Sequence, residues 1–269
     1  KYLLAGLAGM NLVGLLAVMA LRARYPFELE WIESATVTSS QWILSGQFLY
    51  ERPALQFTPL LYNPFYFYLS AALSALIGPG FLAPRLISIF ATVGSCALIL
   101  ALVWRETRSG LAALAAAGFY AAAFKLAGSW MDIARADALL VFLVLLAAQR
   151  ARRASGWRGA LECALILTLA YFTKQSVIPF FVAFGGYYLL ERRREWLVFW
   201  PAVLLLTAGV ALWLDRISRG WYTFYAWYLV RQTVLDAERI RAFWTMDLLP
   251  NVPVALLLGA AALVVLGSP

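Results

Sequence analysis

Residues 85–108 read RLISIFATVGSCALILALVWRETR. From 86 to 104 the stretch has 19 consecutive residues without a charged side chain, close to the roughly 20 apolar residues that one bilayer crossing needs. It therefore predicts a membrane-spanning helix over 85–104, with Arg85 at one end and Arg105 and Arg108 beyond the other.

Similar apolar segments recur along most of the chain. They lie at 2–21, 111–127, 134–149, 159–173, 176–190, 196–214 and 250–267. The composition agrees, because 63% of the 269 residues are hydrophobic and 13% are charged, far from the balance of a soluble domain. We predict an all-α, polytopic membrane protein of about eight transmembrane helices, forming one module over 1–269. A soluble enzyme and a large extramembrane domain are excluded.

The connectors between apolar segments indicate how the chain is oriented. Three short connectors are rich in arginine: Arg105 and Arg108; Arg150, Arg152, Arg153 and Arg158; Arg192, Arg193 and Arg194. Two spans separate each cluster from the next, so all three are expected on one face, which the positive-inside rule makes cytoplasmic. The net charge of +8 is then a topology signal, and we do not expect a nucleic-acid partner. In a bacterium this predicts a multi-pass inner-membrane protein.

A doubtful apolar segment lies at 64–77. As a helix it would be about 21 Å long, short of the roughly 30 Å hydrocarbon core, and it opens with Asn63, Pro64 and an aromatic run. We interpret it as an interfacial or re-entrant helix of a long first loop, 22–84, on the external face. For the last loop, 215–248, an interfacial helix and a solvated connector stay open.

Three glutamates follow the first apolar segment: Glu28, Glu30 and Glu33. If the chain after Trp31 is helical, Glu30 and Glu33 share a face, and if it is extended Glu28 and Glu30 do. Two carboxylates can converge in either case, as an acid–base site needs. A solvated loop start is the alternative.

More polar residues are expected on the same face. Asp132, Arg135 and Asp137 stand where the chain re-enters an apolar segment, either as an internal ion pair or as the wall of a polar site. Lys174 and Gln175 lie between two apolar segments, 159–173 and 176–190. Together with Arg85 and Lys125, Lys174 places several cations at one membrane depth, for lipid headgroups or a bound phosphate.

Metal and cofactor chemistry has little support in the sequence. The chain has no histidine and two cysteines, Cys96 and Cys163, both within apolar segments. No ligand motif indicates a metal ion or another cofactor, although a divalent metal is compatible with the chemistry considered below.

The order of several short motifs resembles the GT-C superfamily of integral-membrane glycosyltransferases, particularly bacterial relatives of protein O-mannosyltransferases and of the lipid A aminoarabinose transferase. The matching pieces are PFELExxE at 26–33, GQxLY at 46–50, YNPxY at 62–66, GxxxLxxRLxS at 78–88, ARxDxL at 134–139 and FTKQ at 172–175. Together they cover residues 1 to about 195. The resemblance implies a GT-C-like fold with interfacial helices in the first external loop and a chain that continues with further spans.

The resemblance also implies an activity and a set of residues. It implies transfer of a sugar from a polyprenyl-phosphate carrier to an acceptor hydroxyl on the external, periplasmic face. Glu30 falls where relatives commonly have aspartate, which makes Glu30, Glu33 and Glu28 the candidate catalytic acids. The candidate substrate-binding residues are Arg85, Lys174, Gln175, Arg135, Asp137, Tyr62 and Asn63. The expected partners are the lipid-linked sugar and membrane lipid.

Two other classes of function stay open. A non-catalytic membrane subunit of a larger complex could retain a glycosyltransferase-like fold, and it would bind membrane protein partners. A lipid-linked carrier or transporter would place paired charges near the middle of the membrane, whereas the charges here cluster at one face.

Overall fold

The computed structural model describes residues 1–232 and 236–267, with side chains up to residue 261. In this part of the chain the regular elements are all helical, as the sequence predicts. The chain forms two compact units that divide after Val230. The single membrane module over 1–269 stays a prediction.

Nine helices form most of unit 1. They are α1 (Tyr2–Ala23), α2 (Trp31–Leu44), α3 (Phe65–Ile77), α4 (Leu82–Thr107), α5 (Gly110–Ala122), α6 (Ala136–Arg153), α7 (Gly156–Thr173), α8 (Ile178–Glu191) and α9 (Arg193–Ile217). A single 3₁₀ turn, Gln175–Val177, connects α7 to α8.

Small side chains let these helices pack closely. α4 contacts α5 and α6, α6 contacts α7, and α7 contacts α9. Ala147 of α6 and Ala164 of α7 are fully buried. Gly118 of α5 lies so near α1 that an added Cβ would be 2.5 Å from the Cα of Ala8. Close backbone approach over small residues is how apolar helices associate in membranes.

α2 differs from the other helices because its buried face is polar. Glu33, Thr36, Ser39 and Ser40 are all buried there. Glu30 caps the helix, its carboxylate accepting a hydrogen bond from the backbone N–H of Ile32 at 3.1 Å. α2 packs against α3, so the first loop is a folded part of unit 1.

A helical segment at 221–231 follows α9. It comprises an α-helical turn (Trp221–Thr223), a π-helical stretch (Phe224–Tyr228) and a last α-helical turn (Leu229–Arg231). Tyr222 and Tyr225 are each 1% exposed and belong to the main core. This part of the last loop is therefore a packed helix, not a solvated connector.

Unit 2 is a shorter helical segment. Its helices are Ala237–Ala242, the π-helical Phe243–Leu248, Leu249–Asn251 and Pro253–Gly267. The chain bends by 95° between Ala237–Asn251 and Pro253–Ala261. The predicted segment 250–267 is thus helical from Pro253 onward.

The prediction of eight spans needs correction. By length and composition, three helices of the described residues can cross a membrane, α1, α4 and α9, or four if the bent pair in unit 2 is one span. α5 and α8 have 13 and 14 residues, too few for the hydrocarbon core. α6 and α7 have 18 residues each, but charged side chains within both lower their hydrophobicity. The coarser prediction, a helical membrane protein, agrees with these apolar helices.

Charged side chains gather at both ends of the unit 1 helices. At the acidic end, α1 and α7 finish and α4 and α6 begin; at the arginine end, α4 and α6 finish and α7 and α9 begin. Arg85 and Arg105 stand 20 residues apart on α4, about 30 Å along a helix. This separation equals the thickness of a hydrocarbon core, so the two ends suit the two membrane surfaces.

Candidate functional site

Arg85 and Glu33 form a fully buried ion pair at the acidic end, both with side chains 0% exposed. Arg85 donates from Nε and Nη2 to the two carboxylate oxygens of Glu33, at 2.8 and 2.7 Å. Its other donors reach the backbone carbonyls of Arg22, Tyr25 and Phe27. All five guanidinium N–H groups are therefore used.

Glu33 is saturated in the same way. Besides the two bonds from Arg85, its Oε1 accepts from the backbone N–H of Ala134 at 2.8 Å and its Oε2 from that of Leu29 at 2.7 Å. Burial by itself would raise the pKa of Glu33, but the hydrogen bonds from Arg85, Ala134 and Leu29 outweigh it and hold the pKa below its usual value. A carboxylate so occupied is a poor proton acceptor.

Asp132 is a second buried acid, with its side chain 0% exposed. Arg22, at the end of α1, approaches it to 3.1 Å, yet neither carboxylate oxygen has a well-directed hydrogen bond within the described residues. Burial raises the pKa of Asp132, and the charge of Arg22 only partly offsets this. Arg22 and Asp132 thus connect α1 to the loop before α6.

Four other charged residues form a continuous row nearer the surface, which we call the charged row: Glu30, Arg135, Asp137 and Lys174. Arg135 lies 3.1 Å from Glu30 and 3.1 Å from Asp137, and Lys174 lies 2.7 Å from the second oxygen of Asp137. Side-chain exposure is 18% for Glu30, 30% for Asp137 and 19% for Lys174, while Arg135 between them is 7% exposed. Glu30, Asp137 and Lys174 are therefore accessible to a ligand, unlike the Arg85–Glu33 pair.

The N-terminus of α6 and two aromatic rings hold the charged row in place. Arg135 is the residue before α6, and Asp137 lies in its first turn, where a negative charge is favourable. The guanidinium of Arg135 lies 3.8 Å from the ring centroid of Trp130, a cation–π contact. The ammonium of Lys174 stands 5.0 Å over the ring of Tyr62.

The three glutamates of the first loop differ in exposure and in hydrogen-bond partners. Glu30 uses only Oε2 for Ile32 and Arg135, and its Oε1 accepts no hydrogen bond from the described residues. Glu28 is exposed and accepts a hydrogen bond from Ser34. Glu30 is therefore the glutamate that combines partial exposure with an unoccupied oxygen beside a fixed cation.

An apolar cavity of about 510 Å³ opens beside the charged row. Tyr120, Leu126, Trp130, Met131 and Val141 contribute to its wall, and Asp137 is the charged residue among those lining it. An apolar cavity with few convergent polar groups is the usual form of a small-molecule site. This one suits a ligand with a hydrocarbon part and a charged group.

Two predicted binding residues act as clamps between segments. The amide of Asn63, fully buried, donates to the carbonyl of Tyr171 and accepts from the hydroxyl of Tyr222 at 3.0 Å. Gln175 donates to the carbonyls of Leu61 and Ala226, both at 3.0 Å. Both side chains fasten the first loop to later segments.

The remaining expected residues and the missed ones can be placed as well. Tyr62 contributes its ring to Lys174, and its carbonyl accepts from the hydroxyl of Tyr50. Lys125 is exposed and takes part in none of the ion pairs of the described chain. Sequence reasoning missed Arg22 and Tyr222. Arg22 had a signal, since it ends the first apolar segment; Tyr222 had none.

Metal-ligand chemistry is sparse in the described residues, where no group of three or more Cys, Asp or Glu side chains is placed to hold a metal ion. Glu30 and Asp137 are the exposed carboxylates near the cavity, and both are already paired with cations.

Comparisons of the chain with family models, with curated proteins and with solved structures find no match.

Proposed function

We propose that the protein is a glycosyltransferase that moves a sugar from a polyprenyl-phosphate donor to an acceptor hydroxyl. The observation that carries this proposal is the charged row, whose Asp137 lines an apolar cavity of about 510 Å³ and holds Arg135 and Lys174 next to it. A polyprenyl-phosphate sugar has the matching parts, since its hydrocarbon suits the cavity and its phosphate suits Arg135 and Lys174.

Glu30 is the proposed general base. Its Oε1 accepts the proton of the acceptor hydroxyl while the hydroxyl oxygen bonds to the anomeric carbon of the sugar. The bond from that carbon to the phosphate oxygen breaks, and the phosphate keeps the electron pair. This is a single displacement with inversion at the anomeric carbon.

The charges of the site balance during this step. Glu30 and Asp137 offset Arg135 and Lys174 before reaction, so the charged row is neutral. When Glu30 takes the proton, the row gains one positive charge as the departing phosphate gains one negative charge. Fixed cations that meet charge as it develops stabilise a transition state.

Asp137 and the Arg85–Glu33 pair have supporting roles in this proposal. Asp137 uses both oxygens to hold Arg135 and Lys174, so it orients the cations and does not accept the proton. Glu33 and Arg85 fix the backbone just before Glu30 through Leu29 and Phe27. We therefore remove both from the set that touches substrate.

The same proposal includes an orientation in the membrane. The acidic end faces the external, periplasmic side of a bacterial inner membrane, and the arginine end faces the cytoplasm. The support is the positive-inside rule together with the contacts that gather the arginine-rich connectors: Arg152 pairs with Glu106 at 2.8 Å, and Arg192 donates to the carbonyl of Ala154 at 2.6 Å.

Glu30→Gln tests the function. The purified full chain, reconstituted in lipid, is given polyprenyl-phosphate-linked hexoses and pentoses, and release of polyprenyl phosphate is measured. Loss of a general base lowers a rate by about 10²–10⁴-fold, so we expect Glu30→Gln to lose at least a hundredfold. Glu28, the third candidate acid, is exposed and bonds to Ser34 rather than to a cation, so the proposal gives it no part in catalysis. Glu28→Gln is therefore the matched control and should keep the activity.

Two results contradict the proposal. The first is equal donor turnover in Glu30→Gln and the unchanged protein. The second is no turnover of any donor together with stable co-purification of other membrane proteins, which favours the non-catalytic subunit.

A further inference from the structure

The arginine end holds a second cavity, of about 660 Å³, remote from the charged row. Its wall includes four arginines and an aromatic ring: Arg105, Arg108, Arg152, Arg192 and Tyr187. They come from three places in the chain, the end of α4, the end of α6 and the junction of α8 with α9. The fold therefore assembles a basic pocket from the arginine-rich connectors.

Positive charge is in excess in this pocket, where the four arginines face two glutamates, Glu106 and Glu191. Glu106 is used by Arg152 at 2.8 Å. Within the described residues Arg105 and Arg108 have no carboxylate within ion-pair distance. Their charges are available to an anion.

An apolar groove of about 220 Å³ adjoins the pocket. It lies between α6 and α8, lined by Ala148, Ala151, Ala183 and Phe184, and it shares Arg152 and Tyr187 with the basic pocket. Ala148 and Ala183 lie inward from the helix ends, so the groove leads from the basic pocket along the helices. A basic pocket continuous with an apolar groove has the two chemistries of a phospholipid.

We propose that this end of unit 1 is a binding site for an anionic phospholipid. The phosphodiester headgroup lies against Arg105, Arg108 and Arg152, and one acyl chain follows the groove between α6 and α8. Basic pockets between helices on one membrane side are suited to anionic headgroups. A zwitterionic lipid fits less well because its ammonium group would meet the unpaired arginines. The proposal is independent of sugar transfer, since the site is about 30 Å along α4 from Arg85.

The test measures the thermal stability of the purified full chain in detergent. Phosphatidylglycerol, phosphatidylcholine and inorganic phosphate are titrated separately. We expect phosphatidylglycerol to raise the unfolding temperature saturably, while the other two do not. The double variant Arg105→Gln/Arg108→Gln should need at least about tenfold more phosphatidylglycerol for the same rise in unfolding temperature. The control Arg153→Gln/Arg158→Gln, at the same end but outside the pocket lining, should behave as the unchanged protein.

A third variant tests the groove separately from the charges. Ala183→Trp fills the groove and leaves every arginine in place, so it should weaken the response to phosphatidylglycerol. An equal shift with phosphatidylcholine, a shift with inorganic phosphate alone, or equal losses in the two arginine double variants would overturn the proposal. The substituted positions are exposed, so the variants should fold. Unchanged elution from a size-exclusion column checks this before titration.

Discussion

Arg85 and Glu33 are the two residues whose interpretation the structure changes most. Sequence reasoning placed both at a substrate phosphate or an acceptor hydroxyl. They are separated by 52 positions. They bond to each other and to nearby backbone groups, so every guanidinium donor and both carboxylate oxygens are occupied. Opposite charges buried together stabilise only as an intact pair.

We expect Glu33→Gln to destabilise the fold strongly. The change leaves the Arg85 charge buried without its counter-charge, which costs about 3–5 kcal/mol. This loss of unfolding free energy is measured by unfolding the purified protein in mixed detergent micelles. Glu28→Gln is the control, because Glu28 is exposed and should change stability by less than about 1 kcal/mol. Equal stability of the two variants would show that the pair is not structural.

The same pair predicts a dependence of stability on pH. The pKa of Glu33 is held below its usual value of 4.5, so its contribution to stability is fully present above that value and is lost as the pH falls through the folded-state pKa. The difference in unfolding temperature between the unchanged protein and Glu33→Gln should stay constant from about pH 8 to 5.5 and shrink below pH 4.5. A difference that grows as the pH falls would contradict the assignment.

At the scale of the element, apolar length predicted most helices but not their ends. The segment 85–104 becomes α4, Leu82–Thr107, and 134–149 becomes α6, Ala136–Arg153. The extra residues of α6 include arginines, which favour a helix while leaving the apolar layer. α2 was not found as an apolar segment because its buried face carries Glu33, Thr36 and Ser39. Hydropathy does not detect a helix whose buried face is polar.

The contact between α1 and α5 gives a prediction at this scale. An added Cβ at Gly118 would meet Ala8 backbone at 2.5 Å, so Gly118→Ala should force the two helices apart and cost about 1–3 kcal/mol. Gly14→Ala, in α1 with nothing within 4 Å of its Cβ position, is the matched control and should not destabilise. Unfolding temperatures of the two variants are compared; a neutral Gly118→Ala would place the close contact in doubt.

Across the whole molecule, sequence reasoning grouped the charges better than it paired them. The four residues of the charged row, distant in sequence, do meet at one end of unit 1. The Arg135–Asp137 ion pair, which the sequence left open against a polar site wall, is present at 3.1 Å. Which glutamate turned inward could not be predicted, because that depends on Arg85 and on the backbone of Ala134, both distant in sequence.

The two ends make a prediction for the membrane. In intact cells an impermeant maleimide should label Lys125→Cys, an exposed position at the acidic end, and should not label Arg153→Cys at the arginine end until the membrane is opened. The unchanged protein, with Cys163 buried and Cys96 partly buried, gives the background. Labelling of both positions from the same side would reject the orientation.

The reach of Arg85 also sets an order of events during synthesis. Residues 22–33 are translated before Arg85 and Ala134, so their backbone carbonyls and Glu33 find their partners only when those two residues have been made. Until then Glu33 keeps its charge in water, because an unpaired buried charge is unfavourable. Residues 22–33 are thus translated before the residues that complete their contacts, and a nascent chain arrested before residue 85 should expose them to protease.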